Sequence, residues 1–400
     1  MLFDVMEYRN KKNTCVGCPV KGRTTCRRMN IPPTGKGKKG LLFILESPTK
    51  AENESGEYYQ SNTIKYLKRL LEDTYGIDLF EDCWVIYAVG CYTTDKIKDM
   101  WVDKCSYRIQ AFIQKHKPSV IFCSGKWAIR GALQHWKKDG NFNPDRWRGV
   151  VIPDRLLKTR IVPLESVKMM AVRDMEGHPV KKKLFLQDIQ LGIRCSRQPF
   201  PVPEIPEHNT VKILKDEKSI LKVLRKLQEL TEDDMFSFDY ETTGLRPYAE
   251  GHEIVTIGIC CRLFRGSFPV LPCKQFHVLW KRIVQGPSKK LAHNMKFEDV
   301  WTHVYFNCPV KNWYWDSMQI CHLLDNRQSI SSLKFQTYVH LGIADYSSHI
   351  DPFLKGKGGV NSHNTIKEAP LDEILLYNAL DAVYEHSIAL MQMEKVYASK

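Results

Sequence analysis

The sequence predicts an α/β protein built as two domains in series. Three observations carry this. In the first half, short apolar runs of strand length alternate with amphipathic stretches of helical period. A break at 196–210 holds four prolines and no helical or strand period, which reads as a stiff, extended linker. A second set of strands and helices follows it and ends in a long helix. A chain of 400 residues has room for about two or three domains, and an apolar fraction of 43% suffices for buried cores.

Taken in order, Leu41-Leu42-Phe43-Ile44-Leu45 is a first strand. Thr63 to Asp73 reads as a helix, because Ile64, Leu67, Leu70 and Leu71 share one face. Trp84 to Val89 is a second strand, 103–116 a helix, and Ser119 to Cys123 a third strand, in the grammar of a parallel sheet. After the linker, strands are expected at 235–240, 253–262, 267–271 and 289–293. Helices are expected at 216–230, 297–306, 316–325, 331–341 and 371–395.

The formal net charge is +14, which favours an anionic partner such as a polyphosphate backbone. Residues 10–40 contribute nine Lys or Arg and no acid, with Gly35, Gly37 and Gly40 interleaving the last three lysines. This reads as a flexible cationic loop able to neutralise phosphates. No apolar run approaches ~18 residues, so no membrane span is expected. The first residues lack the blocks of a signal peptide. The expectation is an intracellular protein, in which 13 cysteines serve as thiols and metal ligands rather than disulfides.

The sharpest signal is Phe238-Asp239-Tyr240-Glu241-Thr242-Thr243-Gly244-Leu245. Residues i and i+2 of a strand face the same way, so Asp239 and Glu241 aim into one site. Paired anions call for a divalent cation or a raised pKa. Three further segments carry matching chemistry: Asn294-Met295-Lys296-Phe297-Glu298, then Trp315-Asp316-Ser317-Met318, then Tyr377-Asn378-Ala379-Leu380-Asp381. The last sets Tyr377 and Asp381 on one helix face.

In order and spacing these segments resemble the three motifs of DnaQ-like 3′–5′ exonucleases, over residues 211–397. The resemblance is strongest to the proofreading domains of family A DNA polymerases and their phage relatives, and to ribonuclease D. It implies a ribonuclease H-like fold and two ions, Mg²⁺ or Mn²⁺. By this resemblance Asp239 bridges both ions, Glu241 and Asp381 complete the first site, and Glu298 holds the second. Tyr377 orients the attacking water. Thr242, Leu245, Asn294 and Phe297 contact the 3′-terminal nucleotide. Glu298 departs from the family, which usually has Asp there. His293 and Asp316 lean towards structural roles.

In the first half, Cys15 and Cys18 form a C-x-x-C pair, with Cys91 and Cys105 farther on. Four thiolates fit zinc or an iron–sulfur cluster equally well on spacing alone. The surrounding order, through Glu46-Ser47-Pro48 and Ser124-Gly125-Lys126, resembles family 4 uracil-DNA glycosylases over about residues 10–165. That resemblance implies a three-layer α/β/α domain with a [4Fe-4S] cluster on Cys15, Cys18, Cys91 and Cys105. The family's pocket glycines, its asparagine and its His-Pro motif are replaced here by Leu45-Glu46-Ser47-Pro48-Thr49, Tyr87 and Pro163-Leu164-Glu165-Ser166-Val167. Glycosylase activity is therefore not expected.

Together these readings give residues 1–195 as a glycosylase-like domain, 196–210 as linker and 211–400 as the exonuclease domain. The pairing is similar to the front end of certain bacteriophage DNA polymerases. The expected function is proofreading of DNA 3′ ends beside a polymerase domain or subunit, in the cytoplasm of a bacterial host if viral. The alternatives are a ribonuclease D-like exoribonuclease and a DNA-binding accessory protein without nuclease activity.

Overall fold

The apolar runs at Leu41–Leu45, Cys83–Tyr87 and Val120–Ser124 pair side by side as parallel strands, as their continuous hydrophobic character requires of a sheet covered on both faces. The computed structural model describes residues 15, 17–20, 26–27, 29–136, 138–175, 177–201, 207–356, 358 and 361–398. It divides into two units, Met1–Val202 with Tyr338–Ala344, and Pro203–Thr337 with Asp345–Lys400.

The first unit runs β1 (Leu41–Leu45), α1 (Lys50–Ser55), α2 (Asn62–Tyr75), β2 (Cys83–Tyr87), α3 (Asp99–His116), β3 (Val120–Ser124), α4 (Lys126–Ala132), α5 (Pro144–Trp147), β4 (Ile152–Asp154), β5 (Thr159–Leu164), α6 (Val167–Met175) and α7 (Pro179–Ser196). The sheet order is β2-β1-β3-β5-β4, parallel except for β4. Helix α2 buries Ile64, Leu67, Leu70 and Leu71, the face its spacing predicts. In the core Phe43 stacks on Phe122 at 4.6 Å, and each such ring contributes about 1.5–3 kcal/mol by leaving water. Strand β5 and helices α6 and α7 were not foreseen.

The cationic loop is corrected where it is described. Lys36 and Lys38 both pair with Glu81 at 2.7 Å, and Lys39 pairs with Asp82 at 2.5 Å. Their backbone N–H groups donate to the carbonyls of Phe80, Glu81 and Asp82. Gly37 lies flat on the Trp84 indole, where a Cβ would come within 2.0 Å. The segment is a docked strap whose three lysines pair with two acids. Lys11, Lys12, Lys21, Arg23 and Arg28 lie outside the described residues.

The ends of β1 and β3 flank the point where the strand order reverses, the usual ligand crevice of such a sheet. Here Glu46 sits in it and accepts from Ser166 Oγ at 3.0 Å. Burial pushes its carboxyl up. Tyr87 donates to the buried Glu52 at 2.7 Å and stacks on Tyr59 at 4.8 Å. These side chains satisfy one another.

The second unit contains β6 (Lys212–Ile213), α8 (Glu217–Lys226), β7 (Met235–Thr242), β8 (Ile254–Cys260), β9 (Arg265–Pro269), α9 (Lys274–Val284), β10 (Lys289–Ala292), α10 (Met295–Phe306), β11 (Trp313–Asp316) and α11 (Ser317–Leu324). Helix α12 (Leu333–Leu341) begins here, and the long α13 (Leu371–Ala398) closes the chain. The six strands order as β11-β10-β7-β8-β9-β6. Phe236, Phe238 and Tyr240 of β7 enter a core with Trp280 and Phe306. The intervening Ser237 and Asp239 of β7 are bonded by His386 and Asn378 of α13. Gly258 of β8 lets that helix approach, since a Cβ there would stand 2.2 Å from the Asn378 carbonyl oxygen. Among the described residues no helix is long and apolar enough to cross a membrane.

Candidate active site

Strand alternation and helix periodicity together build the centre of the site. Asp239 and Glu241 project from β7, Asp381 projects from α13, and one carboxylate oxygen from each lies within 4.8 Å of the others. Glu241 and Asp381 are 7% and 3% exposed. Asn378, one turn before Asp381, donates from its amide to Asp239 Oδ2 at 2.7 Å and accepts from Thr256 Oγ1 at 2.9 Å. The amide fixes the strand carboxylate against the helix.

The second motif is a turn held from outside. Strand β10 ends at Ala292, and Asn294 takes a left-handed conformation at φ 77° before α10 begins. Asp316, last residue of β11 and N-cap of α11, accepts from the backbone N–H of Asn294, Met295, Met318 and Gln319 at 3.0–3.1 Å. One carboxylate thus pins two chain reversals. His293 bonds Ser317 Oγ through Nδ1 at 2.9 Å. Both residues have the structural roles their positions suggest.

Glu298 follows in the first turn of α10 and is 2% exposed, with Oε2 lacking a hydrogen-bond partner. It stands outside the close group of three, so three of the four expected metal carboxylates come together and one does not. Beside it lies Glu385 of α13, also 2% exposed, with the Ser237 hydroxyl as its polar neighbour.

On the other flank, Lys334 of α12 donates from Nζ to Asp381 Oδ2 at 2.6 Å and to the Tyr377 hydroxyl at 2.7 Å. Tyr346 donates to Asp381 Oδ1 at 2.5 Å.

The electrostatics follow from this crowding. Burial, then the charge of Asp381, pushes Asp239 up to about 8. Burial and Asp239 push Glu241 well above the usual carboxylate range. Burial and Asp239 do the same to Glu298. Burial raises Glu385 to about 8. Tyr377 is pushed far up by burial and then by Asp381, which keeps its phenol protonated. Three close oxygen donors with excess negative charge suit a hard divalent cation such as Mg²⁺ or Mn²⁺.

Residues 211–395 match a family model described as 3′–5′ exonuclease. The second half of this chain is a DnaQ-like 3′–5′ exonuclease domain. Its three gathered carboxylates and its tyrosine are those of the DEDDy type. Among solved structures, the chain is similar to Escherichia coli RNase D, an exoribonuclease involved in structured RNA processing, at 12% identity and TM-score 0.38, covering 47% of this chain and 46% of that one. It is similar to the catalytic core of RRP6 from Trypanosoma brucei at 14% identity and TM-score 0.31, covering 47% and 51%. It is similar to the Aedes aegypti Nibbler EXO domain at 15% identity and TM-score 0.36, covering 49% and 94%. The match spans about half the length of the first two structures. No curated protein matches the chain.

Around the exonuclease site, the expected nucleotide contacts differ in availability. Leu245 is 65% exposed. Phe297 is half-buried, and packs against the domain core. Thr242 spends its hydroxyl on the Gly244 carbonyl at 2.7 Å, and Asn364 caps the Thr242 carbonyl at 2.9 Å. Asn294 contributes the left-handed turn. Sequence reasoning missed Lys334, Tyr346, Asn378 and Glu385. Lys334, Asn378 and Glu385 stand out as polar side chains within helices, while Tyr346 lies in the loop after α12 and carries no such signal.

The first unit's thiols are arranged more loosely. Cys91 and Cys105 are buried, Cys15 and Cys18 half-buried. Among the described residues no three cysteine sulfurs lie close enough to share one ion, so the expected four-thiolate centre is not drawn together here. Asn30 N–H donates to Cys91 Sγ at 3.2 Å. Cys26, unplaced by the sequence reading, lies beside Cys91, and burial pushes the Cys91 thiol up to about 12. Burial also raises Cys105, near Cys15 and Cys18.

Proposed function

We propose that this chain is a metal-dependent 3′–5′ exonuclease that hydrolyses the terminal phosphodiester of a single-stranded 3′ end and releases nucleoside 5′-monophosphates. The convergence of Asp239, Glu241 and Asp381 within 4.8 Å supports this reading. Asp239, Glu241 and Asp381 would hold a first divalent ion, with Glu298 turned towards a second. Such ions, when bound, supply a nucleophile from water and neutralise the leaving 3′-oxygen. The chain's residues do the rest. Tyr377, protonated and fixed by Lys334, orients the attacking water rather than deprotonating it. Asn378 keeps Asp239 in register. Leu245, exposed to solvent, would contact the terminal base.

These contacts leave the choice between RNA and DNA open, because none of them addresses the sugar. The ribonuclease D-like reading is carried forward first and DNA proofreading beside a polymerase second. The order of these arms follows the RNA substrate named for the similar Escherichia coli enzyme. For the first unit we keep as proposals a glycosylase-like fold without glycosylase activity and an iron–sulfur cluster on Cys15, Cys18, Cys91 and Cys105. The neighbourhood of Cys26 to Cys91, and of Cys15 and Cys18 to Cys105, is what supports a thiol site, without selecting its metal.

The test is degradation of 3′-labelled single-stranded RNA, DNA and uracil-containing DNA with Mg²⁺. Loss of all degradation in an Asp239→Ala, Glu241→Ala variant is expected. A variant that digests like the parent would falsify the assignment.

A further inference from the structure

We propose that Lys334 is a positioning residue of the exonuclease site, an internal ammonium that balances the carboxylates before a divalent ion arrives and fixes the Tyr377 hydroxyl for reaction. This rests on the reading of the site as an exonuclease centre. The sequence places Lys334 between Leu333 and Phe335, at the start of a helix with no acidic neighbour. Its partners come from elsewhere in the chain.

The side chain is 23% exposed and the Asp381 side chain 4%. A lysine so enclosed needs opposite charge to remain an ammonium. Asp381 is in contact, and Glu241 and Asp239 lie close enough to act on it. The rings of Tyr377 and Tyr346 stand 4.7 and 5.4 Å from Nζ. The ammonium is thus enclosed by three carboxylates and two aromatic faces.

The direction of the bonds decides the role. An ammonium only donates, so the Tyr377 oxygen accepts from Lys334 and its own proton points elsewhere, towards a reacting water or phosphate oxygen. Asp381 accepts from Lys334 on one oxygen and from Tyr346 on the other. Each carboxylate oxygen keeps a second lone pair, so Asp381 can take a cation without releasing either partner. Lys334 stays in place during turnover as a fixed positive charge near the incoming ion.

Two opposed effects follow from one side chain. Removing the charge lifts repulsion on a divalent ion, and removing the donor frees Tyr377 to rotate. Lys334→Met should therefore bind Mn²⁺ about fivefold or more tightly, while kcat falls about tenfold to a hundredfold at saturating metal. Lys334→Arg keeps the charge but replaces a compact donor by a planar fork, so it should lose kcat without gaining metal affinity. A lysine that only supports the fold would weaken metal binding and kcat together.

The experiment measures Mn²⁺ binding by calorimetry and 3′-end degradation at saturating Mn²⁺, for the parent, Lys334→Met, Lys334→Arg, Tyr377→Phe and the Lys334→Met/Tyr377→Phe double variant. The expected result is tighter Mn²⁺ with slower turnover in Lys334→Met, and no further loss of kcat when it is added to Tyr377→Phe. Weaker Mn²⁺ in Lys334→Met, or losses that multiply in the double variant, overturns the proposal. If Lys334→Met does not fold, Lys334→Arg carries the test: unchanged kcat overturns it. Parent protein inert on every polynucleotide defeats the exonuclease reading instead, while Mn²⁺ affinities still report on Lys334.

Discussion

The carboxylates of the exonuclease domain stand on a strand and a helix, whereas three of the first unit's cysteines, Cys15, Cys18 and Cys26, stand in irregular chain before its first strand. Asp239 and Asp381 are far apart in the chain, yet β7 and α13 bring them to one point, held there by Asn378 and Lys334. Cys15, Cys18 and Cys26 have no regular element beneath them, and only Cys105 sits on a helix. The lesson concerns preorganisation. Hydrogen bonds and an internal lysine assemble the carboxylate site from the protein alone, while the cysteines, with no such scaffold, are not drawn together.

The largest expected effect tests the first half of that contrast. Asp381→Asn should lower 3′-end degradation about a thousandfold or more with Mg²⁺, because residues acting as a unit fail together. A loss below about tenfold would mean the three carboxylates do not share an ion.

Next in size is the outside clamp. Asp316→Ala leaves four backbone donors unpaired and should cost about 2–4 kcal/mol, read as a drop in Tm. A drop below about 1 kcal/mol would show that the turn holds itself.

The pH dependence has a definite sign. Asp239 and Glu385 titrate near 8 in the fold, above the ordinary carboxylate value. The folded protein therefore binds more protons than the unfolded chain between about pH 4 and 8. In EDTA, stability should be highest at the acid end of this window for these groups and fall as pH rises to about 8. Mg²⁺ should flatten the slope, since a cation replaces the protons. Melting curves at several pH values, with and without Mg²⁺, decide this.

For the thiols, anaerobic reconstitution with iron and sulfide should bring a brown colour and absorbance near about 400 nm. Stoichiometric zinc in the purified protein, with no such band, would replace the cluster by a single-ion site.

The smallest effect is Glu385→Gln, which should raise the metal-free Tm at pH 8 by a few degrees, by about 1 kcal/mol, because it removes a buried carboxylate that burial, Asp239 and Asp316 disfavour in its charged form. A fall in Tm would show that the ionised form is compensated.

Legibility followed the range of the forces involved. Strands β1, β3 and β7 were readable because apolar runs and period-two alternation are local. Asp239 and Glu241 were readable for the same reason, as were Tyr377 and Asp381 one helical turn apart. Lys334 was not, because its partners lie 43 and 47 residues away. Nor was the docking of Lys36, Lys38 and Lys39, whose acids follow some forty residues later. Asp316 was visible as a polar residue at a helix start, but its hold on a turn 22 residues earlier was not.

That hold has a further consequence. Strand β11 is the rim of its sheet, paired on one side only, with a register shift against β10. Rim strands are the first to detach on warming. When β11 lifts, Asp316 lifts with it, and the loop leading to Glu298 is released while the rest of the sheet is still intact. Heat should therefore silence this protein several degrees before it melts, and amide exchange at Trp313–Asp316 should quicken in step with the silence.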